Sequence, residues 1–324
     1  MEKKLTVRES FRLGKGWYLM IFAILAMMVT NAGVNDGLNV ALPEIAAGAG
    51  LDYELCLSMG TVAGFVGVIM MFVIAKFRDR FGGRKVSAVL FIIFGLTFYF
   101  LFLRAENIVM YAVSQCIMVS CGQGCFYLCT GPMQSDWFPK KRGVVNGIST
   151  IGANIGTAVL APLMTVLLTM AQYKTSLSVF AVAAVLLGVF AWVFLRDTPQ
   201  EAGVYPDNVT KEVYEKEYRK IAGQAAYVSN WTVPKMLKCK EVWLTAMVPG
   251  FITLGLLGVI TQFVQRNISL GLSGKVAIGA MTAAGLIGIL GSYTIGYLDT
   301  KIGTKRACMI YCGIFALGIF FNLL

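Results

Sequence analysis

Amide and carboxyl side chains recur along the first long apolar segment of the chain. Asn31, Asn35 and Asn39 lie four residues apart, and Asp36 follows the second of them. In a helix this spacing puts the three amides on one face. Polar side chains inside a membrane usually face the interior of a helix bundle or a water-filled cavity. Asp36 is therefore a candidate to carry a proton or to bind a cation; the alternative is a charge that faces a loop.

A second polar stripe lies in the fourth long apolar segment. Its members recur at multiples of four residues and are Tyr111, Gln115, Gln123 and Tyr127. This spacing favours the lining of a central cavity over hydrogen bonds between helices. Near the outer end of the seventh segment, Gln262 and Gln265 are further candidates to line the cavity.

The sequence lacks the residue sets on which most catalytic and metal sites depend. Histidine is absent, which removes the commonest metal ligand and proton relay. Cys121, Cys125 and Cys129 lie four apart, but no acidic residue accompanies them, so packing explains them better than a metal site. No Ser/His/Asp set, HExxH motif or pair of membrane carboxylates occurs. We expect neither an enzyme nor a cofactor.

One pattern of residues occurs twice, after the second and after the eighth apolar segment. Each copy has a small residue followed by an aspartate, a glycine and a basic pair. The candidate residues are Asp79, Arg80, Gly82, Arg84 and Lys85 in the first copy and Asp299, Gly303, Lys305 and Arg306 in the second. Each aspartate can accept from the N-terminus of a neighbouring helix, where the helix dipole favours an anion. The alternative is that the basic residues merely set the membrane topology.

Nine long apolar segments position these residues. The chain of 324 residues is 57% hydrophobic and only 14% charged, whereas about a quarter of the residues in a soluble domain are charged. Each segment approaches the roughly 20 residues that a membrane helix needs, and none alternates in polarity as barrel strands do. We predict an all-α polytopic membrane protein with a six-helix bundle at 1–196, a cytoplasmic loop with an amphipathic helix at 197–241 and part of a second bundle at 242–324.

The basic residues indicate how these segments are oriented. Most of the 28 Lys and Arg residues fall in alternate loops, which predicts a cytoplasmic N-terminus by the positive-inside rule. The net charge of +11 therefore reports topology, and we expect no nucleic-acid partner. The expected location is a plasma membrane, namely the inner membrane of a bacterium.

The duplicated motif makes the chain resemble the major facilitator superfamily, whose signature is G-x-L-x-D-x-x-G-x-K-R, with Ala75 replacing the leading glycine of the first copy. Segments 137–143 and 197–203 resemble the branch of oxalate/formate exchangers and monocarboxylate porters. The resemblance implies two helical bundles, secondary active transport of a small solute by alternating access, and a motif that latches the outward-open state. Spans one and four line the central cavity in this family.

The same resemblance implies a small organic anion, such as a mono- or dicarboxylate, as substrate, with a coupling proton or cation and a monomeric protein. Symport and antiport stay open. Family exchangers use a basic residue in span eight and another in span eleven, whereas here span eight has only Lys275, at its edge. The family has twelve spans, so we expect a C-terminally truncated chain or a fragment. The alternatives are a receptor or non-transporting remnant, or a carrier of drugs, sugars or nucleosides.

Overall fold

The computed structural model describes residues 11, 13–170, 172–218, 232–260 and 263–323. Within these ranges nine helices are long and apolar enough to cross a membrane. They are α1 (Gly14–Ala49), α2 (Tyr53–Phe81), α3 (Gly83–Phe102), α4 (Ile108–Trp137), α5 (Arg142–Met170), α6 (Tyr173–Phe194), α7 (Lys240–Ile260), α8 (Gly274–Ile302) and α9 (Thr304–Phe321). No strand occurs in the described ranges. The predicted all-helical membrane fold is confirmed.

The helices extend beyond the apolar segments into the charged motifs. α2 continues to Phe81, so Asp79 and Arg80 belong to its last turn and not to a loop. Only Gly82 separates α2 from α3, and only Gly303 separates α8 from α9. Both glycines have positive φ, +86° and +85°, which other residues adopt at a steric cost. Hydropathy marks the part of a helix inside the hydrocarbon, whereas backbone hydrogen bonds continue past it.

The first six helices pack in pairs around an apolar core. α1 packs on α5, α2 on α4 and α3 on α6, and α8 then packs against α5. Small residues allow close contact between helices, as is usual in membranes. A Cβ atom at Gly152 of α5 would lie 2.0 Å from the Ile24 carbonyl oxygen of α1. This contact fixes α1 and α5 beside each other.

Four helices carry irregular turns. α1 consists of Trp17–Val34 and Asp36–Ala49, separated at Asn35, where ψ is −113°. π-helical turns occupy Phe98–Phe102, Cys125–Thr130 and Gly156–Leu160. Such turns shift the register of the side chains and occur often at functional sites. Two of them, in α4 and α5, carry polar residues described below.

The central segment joins α6 to α7. It contains 3₁₀ turns at Gln200–Ala202 and Pro206–Asn208, and helical turns at Lys211–Val213 and Tyr214–Tyr218. The amphipathic helix predicted in this segment rests on the spacing of Tyr214, Tyr218 and Ile221, which places them on one helix face. Its first two residues lie on these turns, whereas Ile221 lies outside the described residues.

Candidate functional site

A polar cavity lies between α1, α4 and α5. Its volume is about 350 Å³, and its lining residues are Met27, Phe126, Tyr127, Gly131, Gln134, Ser135, Arg142, Asn146 and Thr150. Arg142 is the first residue of α5, at the end of the bundle that carries the basic motifs (the basic side). Thr150 lies eight residues further along α5, about 12 Å deeper at 1.5 Å per residue. The cavity thus extends from the basic side toward the middle of the bundle.

Local backbone structure sets the walls of this polar cavity. The Thr130 hydroxyl donates to the Cys125 carbonyl oxygen at 2.9 Å, across the π-helical turn of α4. On that turn the Tyr127 side chain is 57% exposed and lines the cavity. Gln134 is buried and donates to the Ser149 hydroxyl at 2.7 Å, which holds α4 against α5. The Gln134 side chain is therefore held in place before any solute binds.

Arg142 is the cation of the polar cavity. It interacts electrostatically with Asp136 at the end of α4, which also interacts with Arg78 of α2. A guanidinium presents a rigid fork of N–H donors that matches a carboxylate. The neighbouring amide of Asn146 can donate to the same solute. The Thr150 hydroxyl donates to the Gly147 carbonyl oxygen at 3.0 Å and can accept a hydrogen bond from the solute. The arrangement is suited to a small molecule with an anionic end and further oxygen atoms.

The sequence prediction omitted Arg142, Asn146 and Thr150. Arg142 precedes the apolar part of the fifth segment, so hydropathy alone leaves it in a basic loop. The three residues nevertheless lie four apart, and this spacing places them on one face of a helix. The same rule that singled out Asn31 and Gln115 would therefore have found them.

A buried carboxylate lies where α1 meets α5. Asp36 is 7% exposed and Asn31 is 8% exposed. The Asn31 amide nitrogen lies 3.1 Å from an Asp36 carboxylate oxygen and 3.0 Å from the Thr157 hydroxyl oxygen. The Thr157 hydroxyl donates to the same Asp36 oxygen, from the π-helical turn of α5. Asp36 thus faces the interior of the bundle, and the alternative of a loop-facing charge is wrong.

The other predicted cavity residues lie in different environments. Gln115 is buried and donates to the Tyr111 hydroxyl at 3.4 Å, within its own helix. Asn35, Asn39 and Gln123 are half-buried and do not line the polar cavity. Gln265 is exposed on the short helix Phe263–Ser269, and Gln262 lies outside the described residues. Of the predicted stripe on α4, only Tyr127 lines the cavity.

In the first copy of the motif, a residue from outside the motif contacts the helix N-terminus. The Asp79 side chain is 70% exposed and pairs with Arg78 at 3.1 Å. Asp197, which follows α6, accepts from the Arg84 backbone N–H at 2.6 Å. A Cβ atom at Gly82 would lie 2.3 Å from the Asp197 carboxylate. Asp197 therefore caps α3 and ties the end of α6 to the junction of α2 and α3.

In the second copy, the motif aspartate contacts the N-terminus of a neighbouring helix. A Cβ atom at Gly143, in the first turn of α5, would lie 2.3 Å from the Asp299 carboxylate of α8. Deeper in the bundle, the Asn154 amide donates to the Ser292 hydroxyl at 2.7 Å and to the Gly288 carbonyl oxygen at 3.1 Å. The contact between α5 and α8 therefore extends from the basic side to the middle of the bundle.

The remaining motif residues lie at the basic side. Arg80, Lys85, Gly303, Lys305 and Arg306 are exposed, whereas Gly82 and Arg84 are half-buried. The guanidinium of Arg80 lies over the Phe81 ring, 5.2 Å from its centroid. That these residues act as a latch stays a prediction.

Comparison with known proteins supports one family for the chain. The Major Facilitator Superfamily matches residues 19–324. The uncharacterized MFS-type transporter YhjX of Escherichia coli (strain K12) is 23% identical over 308 residues, which are 94% of this chain and 67% of YhjX. Monocarboxylate transporter 12 of Homo sapiens is 23% identical over 60% of this chain and 40% of its own length.

A solved structure has the same fold. The proton:xylose symporter XylE, bound to 6-bromo-6-deoxy-D-glucose, matches with a TM-score of 0.56 at 14% identity and covers 87% of this chain and 69% of its own. The chain thus spans only part of the length of these relatives. The family match covers nearly all of the chain, together with two copies of the motif and nine apolar helices. The chain belongs to the Major Facilitator Superfamily.

Proposed function

We propose that the protein transports a small organic anion, a mono- or dicarboxylate, by secondary active transport with alternating access. The observation that carries this proposal is Arg142 on the wall of the polar cavity. It supplies the basic residue that the apolar segments lacked. Membership in a transporter family supports the transport of a small solute, and the similarity to monocarboxylate transporter 12 supports a carboxylate.

The polar cavity favours an anion over a neutral solute. Its cation lies at one end, with amide and hydroxyl groups of Gln134, Asn146 and Thr150 along the walls. A carboxylate at Arg142 forms two charge-assisted hydrogen bonds, and the remaining groups bind the rest of a short molecule. A sugar or nucleoside offers no carboxylate to the Arg142 guanidinium and would therefore forgo these two charge-assisted hydrogen bonds.

Asp36 is the proposed coupling site. Its carboxylate is buried at the contact between α1 and α5, and α5 also carries Arg142. Ionisable residues inside a membrane are rare and commonly belong to ion pathways or proton relays. Protonation of Asp36 would change its hydrogen bonds with Asn31 and Thr157 and so change the packing of α1 on α5. The coupled ion is then a proton, with a cation at the same carboxylate as the alternative.

The proposed orientation places the basic side in the cytoplasm of a bacterial cell, as the positive-inside rule predicts. The contact of α5 with α8 runs along this side, through Gly143, Asp299 and Asn154. It would therefore hold the cytoplasmic side closed and favour an outward-open state, with the second motif as the latch.

The test is uptake of labelled solutes by proteoliposomes that contain the full-length protein. A panel of formate, lactate, oxalate and succinate is compared with xylose and uridine. We expect uptake of at least one carboxylate, reduced about 10–100-fold in Arg142→Gln, because a hydrogen bond to a charged group contributes about 1.5–3 kcal/mol. The control is Lys211→Gln, an exposed basic residue outside the cavity, which leaves uptake unchanged.

Two results would contradict the proposed function. Uptake of neutral solutes alone, unaffected by Arg142→Gln, would make the protein a carrier of another substrate class. Absence of uptake for every solute, with binding of a solute retained, would indicate a receptor or a non-transporting protein.

A further inference from the structure

A second cavity, of about 640 Å³, lies on the outer face of the six-helix bundle. It is a groove between α2 and α3 with α4 as its floor, and no residue of α1 or α5 lines it. Its walls are almost entirely apolar and include Val66, Phe77, Phe81, Val89, Ile93 and Trp192. A groove that is almost entirely apolar and shares no lining residue with the polar cavity requires another occupant.

The groove has the depth of one leaflet of a bilayer. On α2 its lining runs from Val66 to Phe81, about 22 Å at 1.5 Å per residue. On α3 it runs from Lys85 to Ile93, about 12 Å by the same rise. One leaflet of the hydrocarbon is about 15 Å thick. An acyl chain that enters at the basic side would therefore follow the groove along its length.

The end of the groove at the basic side carries positive charge. Lys85 lines the groove, is exposed, and has no ion pair within the described part of the chain. Arg80 is exposed beside it, over the Phe81 ring at 5.2 Å. The nearest motif acid, Asp79, pairs with Arg78 at 3.1 Å. Two basic side chains therefore remain available to an anion at the mouth of an apolar groove.

We propose that this groove binds one anionic phospholipid from the leaflet on the basic side. An acyl chain lies between α2 and α3 against Val89 and Ile93, and the phosphate lies at Lys85 and Arg80. Burial of the chain against apolar side chains gives affinity, and the two cations select an anionic headgroup. The site is independent of the solute that the central cavity transports.

The experiment measures lipids retained by the purified protein in native mass spectrometry, with equal amounts of phosphatidylglycerol and phosphatidylcholine added. We expect one phosphatidylglycerol molecule to be retained in preference to phosphatidylcholine. Lys85→Ala reduces this preference about fivefold, the factor that corresponds to ~1 kcal/mol per basic residue at an anionic surface. Val89→Trp fills the groove without changing its charge and removes the retained lipid.

Matched controls separate the groove from general effects. Lys211→Ala removes an exposed lysine outside the groove. Leu186→Trp adds a tryptophan at an exposed position of α6 that does not line the groove. We expect both variants to retain phosphatidylglycerol as the wild type does. Equal retention of the two lipids, or wild-type retention by both Lys85→Ala and Val89→Trp, would overturn the proposal. Equal retention of glycerol phosphate, which has no acyl chain, would also overturn it, because the site would then bind only a free anion.

Discussion

The contact between α5 and α8 predicts a large effect from adding one methyl group. Gly296 of α8 is buried against α5, and a Cβ atom there would lie 2.4 Å from the Gly143 carbonyl oxygen and 3.0 Å from the Gly147 Cα atom. Both neighbours are backbone atoms, so a change of rotamer cannot relieve the clash. Carbon atoms pack best at about 3.5–4.0 Å, so the two helices must separate by about 1 Å in Gly296→Ala.

The control for this change is Gly291→Ala on the same helix, where a Cβ atom would meet nothing within 4 Å. Both substitutions add the same helix propensity, about 1 kcal/mol, so their difference isolates the helix contact. Overpacking costs about 1–3 kcal/mol. If the contact exists only when the basic side is closed, this cost lowers the population of the closed state about 5–150-fold relative to the open state.

The assay is a distance measurement by pulsed electron paramagnetic resonance. Spin labels at Lys76 of α2 and Lys301 of α8, both exposed at the basic side, report the separation of the two halves on a background without the eight native cysteines. We expect Gly296→Ala to shift the distribution to longer distances and Gly291→Ala to match the wild type. Identical distributions for the two variants would refute the conclusion that this contact controls the opening of the basic side.

Three further predictions concern coupling and stability. Asp36→Asn is expected to abolish accumulation of solute driven by a pH gradient while exchange of solute persists. The control Glu44→Gln, at an exposed position of the same helix, leaves both activities intact. Retained pH-driven accumulation in Asp36→Asn would exclude Asp36 as the coupling site. Asp197→Ala removes the cap of α3 and should lower the free energy of unfolding by about 0.5–2 kcal/mol, seen as a lower midpoint in thermal unfolding. Gly82→Ala and Gly303→Ala both place alanine at positive φ, but only Gly82→Ala also clashes with Asp197. Gly82→Ala should therefore lower the unfolding midpoint more than Gly303→Ala does. Equal shifts of the two midpoints would argue against the contact between Gly82 and Asp197.

The fold followed from the sequence because hydrophobic length is a strong signal. Each span needs about 20 apolar residues, and nine such helices are present in the described residues. The junctions were less predictable. The helices continue through the charged motifs until a single glycine, Gly82 or Gly303, ends them. Hydropathy carries no information about where backbone hydrogen bonds stop, so these turns looked like loops.

The candidate site was only partly predictable. The four-residue spacing selected Tyr127, which lines the polar cavity, and Asn31, which hydrogen-bonds to Asp36. It also selected Gln115, which bonds within its own helix. The periodicity of polar residues shows which face of a helix they share, but it does not show which other helix that face contacts. The π-helical turns at Cys125–Thr130 and Gly156–Leu160 shift that face locally, and no simple residue pattern marks them.

Long-range partners were the least predictable feature. Asp197 reaches the backbone of Arg84 across 113 positions of sequence, and Thr157 reaches Asp36 across 121 positions. Both contacts depend on how α6 and α5 pack against the first three helices. The sequence does mark these residues as polar positions at the edge of, or within, an apolar segment, but not their partners.

The most direct test of the central claim asks whether Arg142 holds a carboxylate inside the polar cavity. A cysteine introduced by Thr150→Cys, on a background without native cysteines, is alkylated with and without a transported carboxylate. The carboxylate should slow alkylation when Arg142 is present and should have no effect at the same concentration in the Arg142→Gln background, whereas xylose protects neither. Equal protection in the two backgrounds, or protection by xylose alone, would contradict an anion site at Arg142.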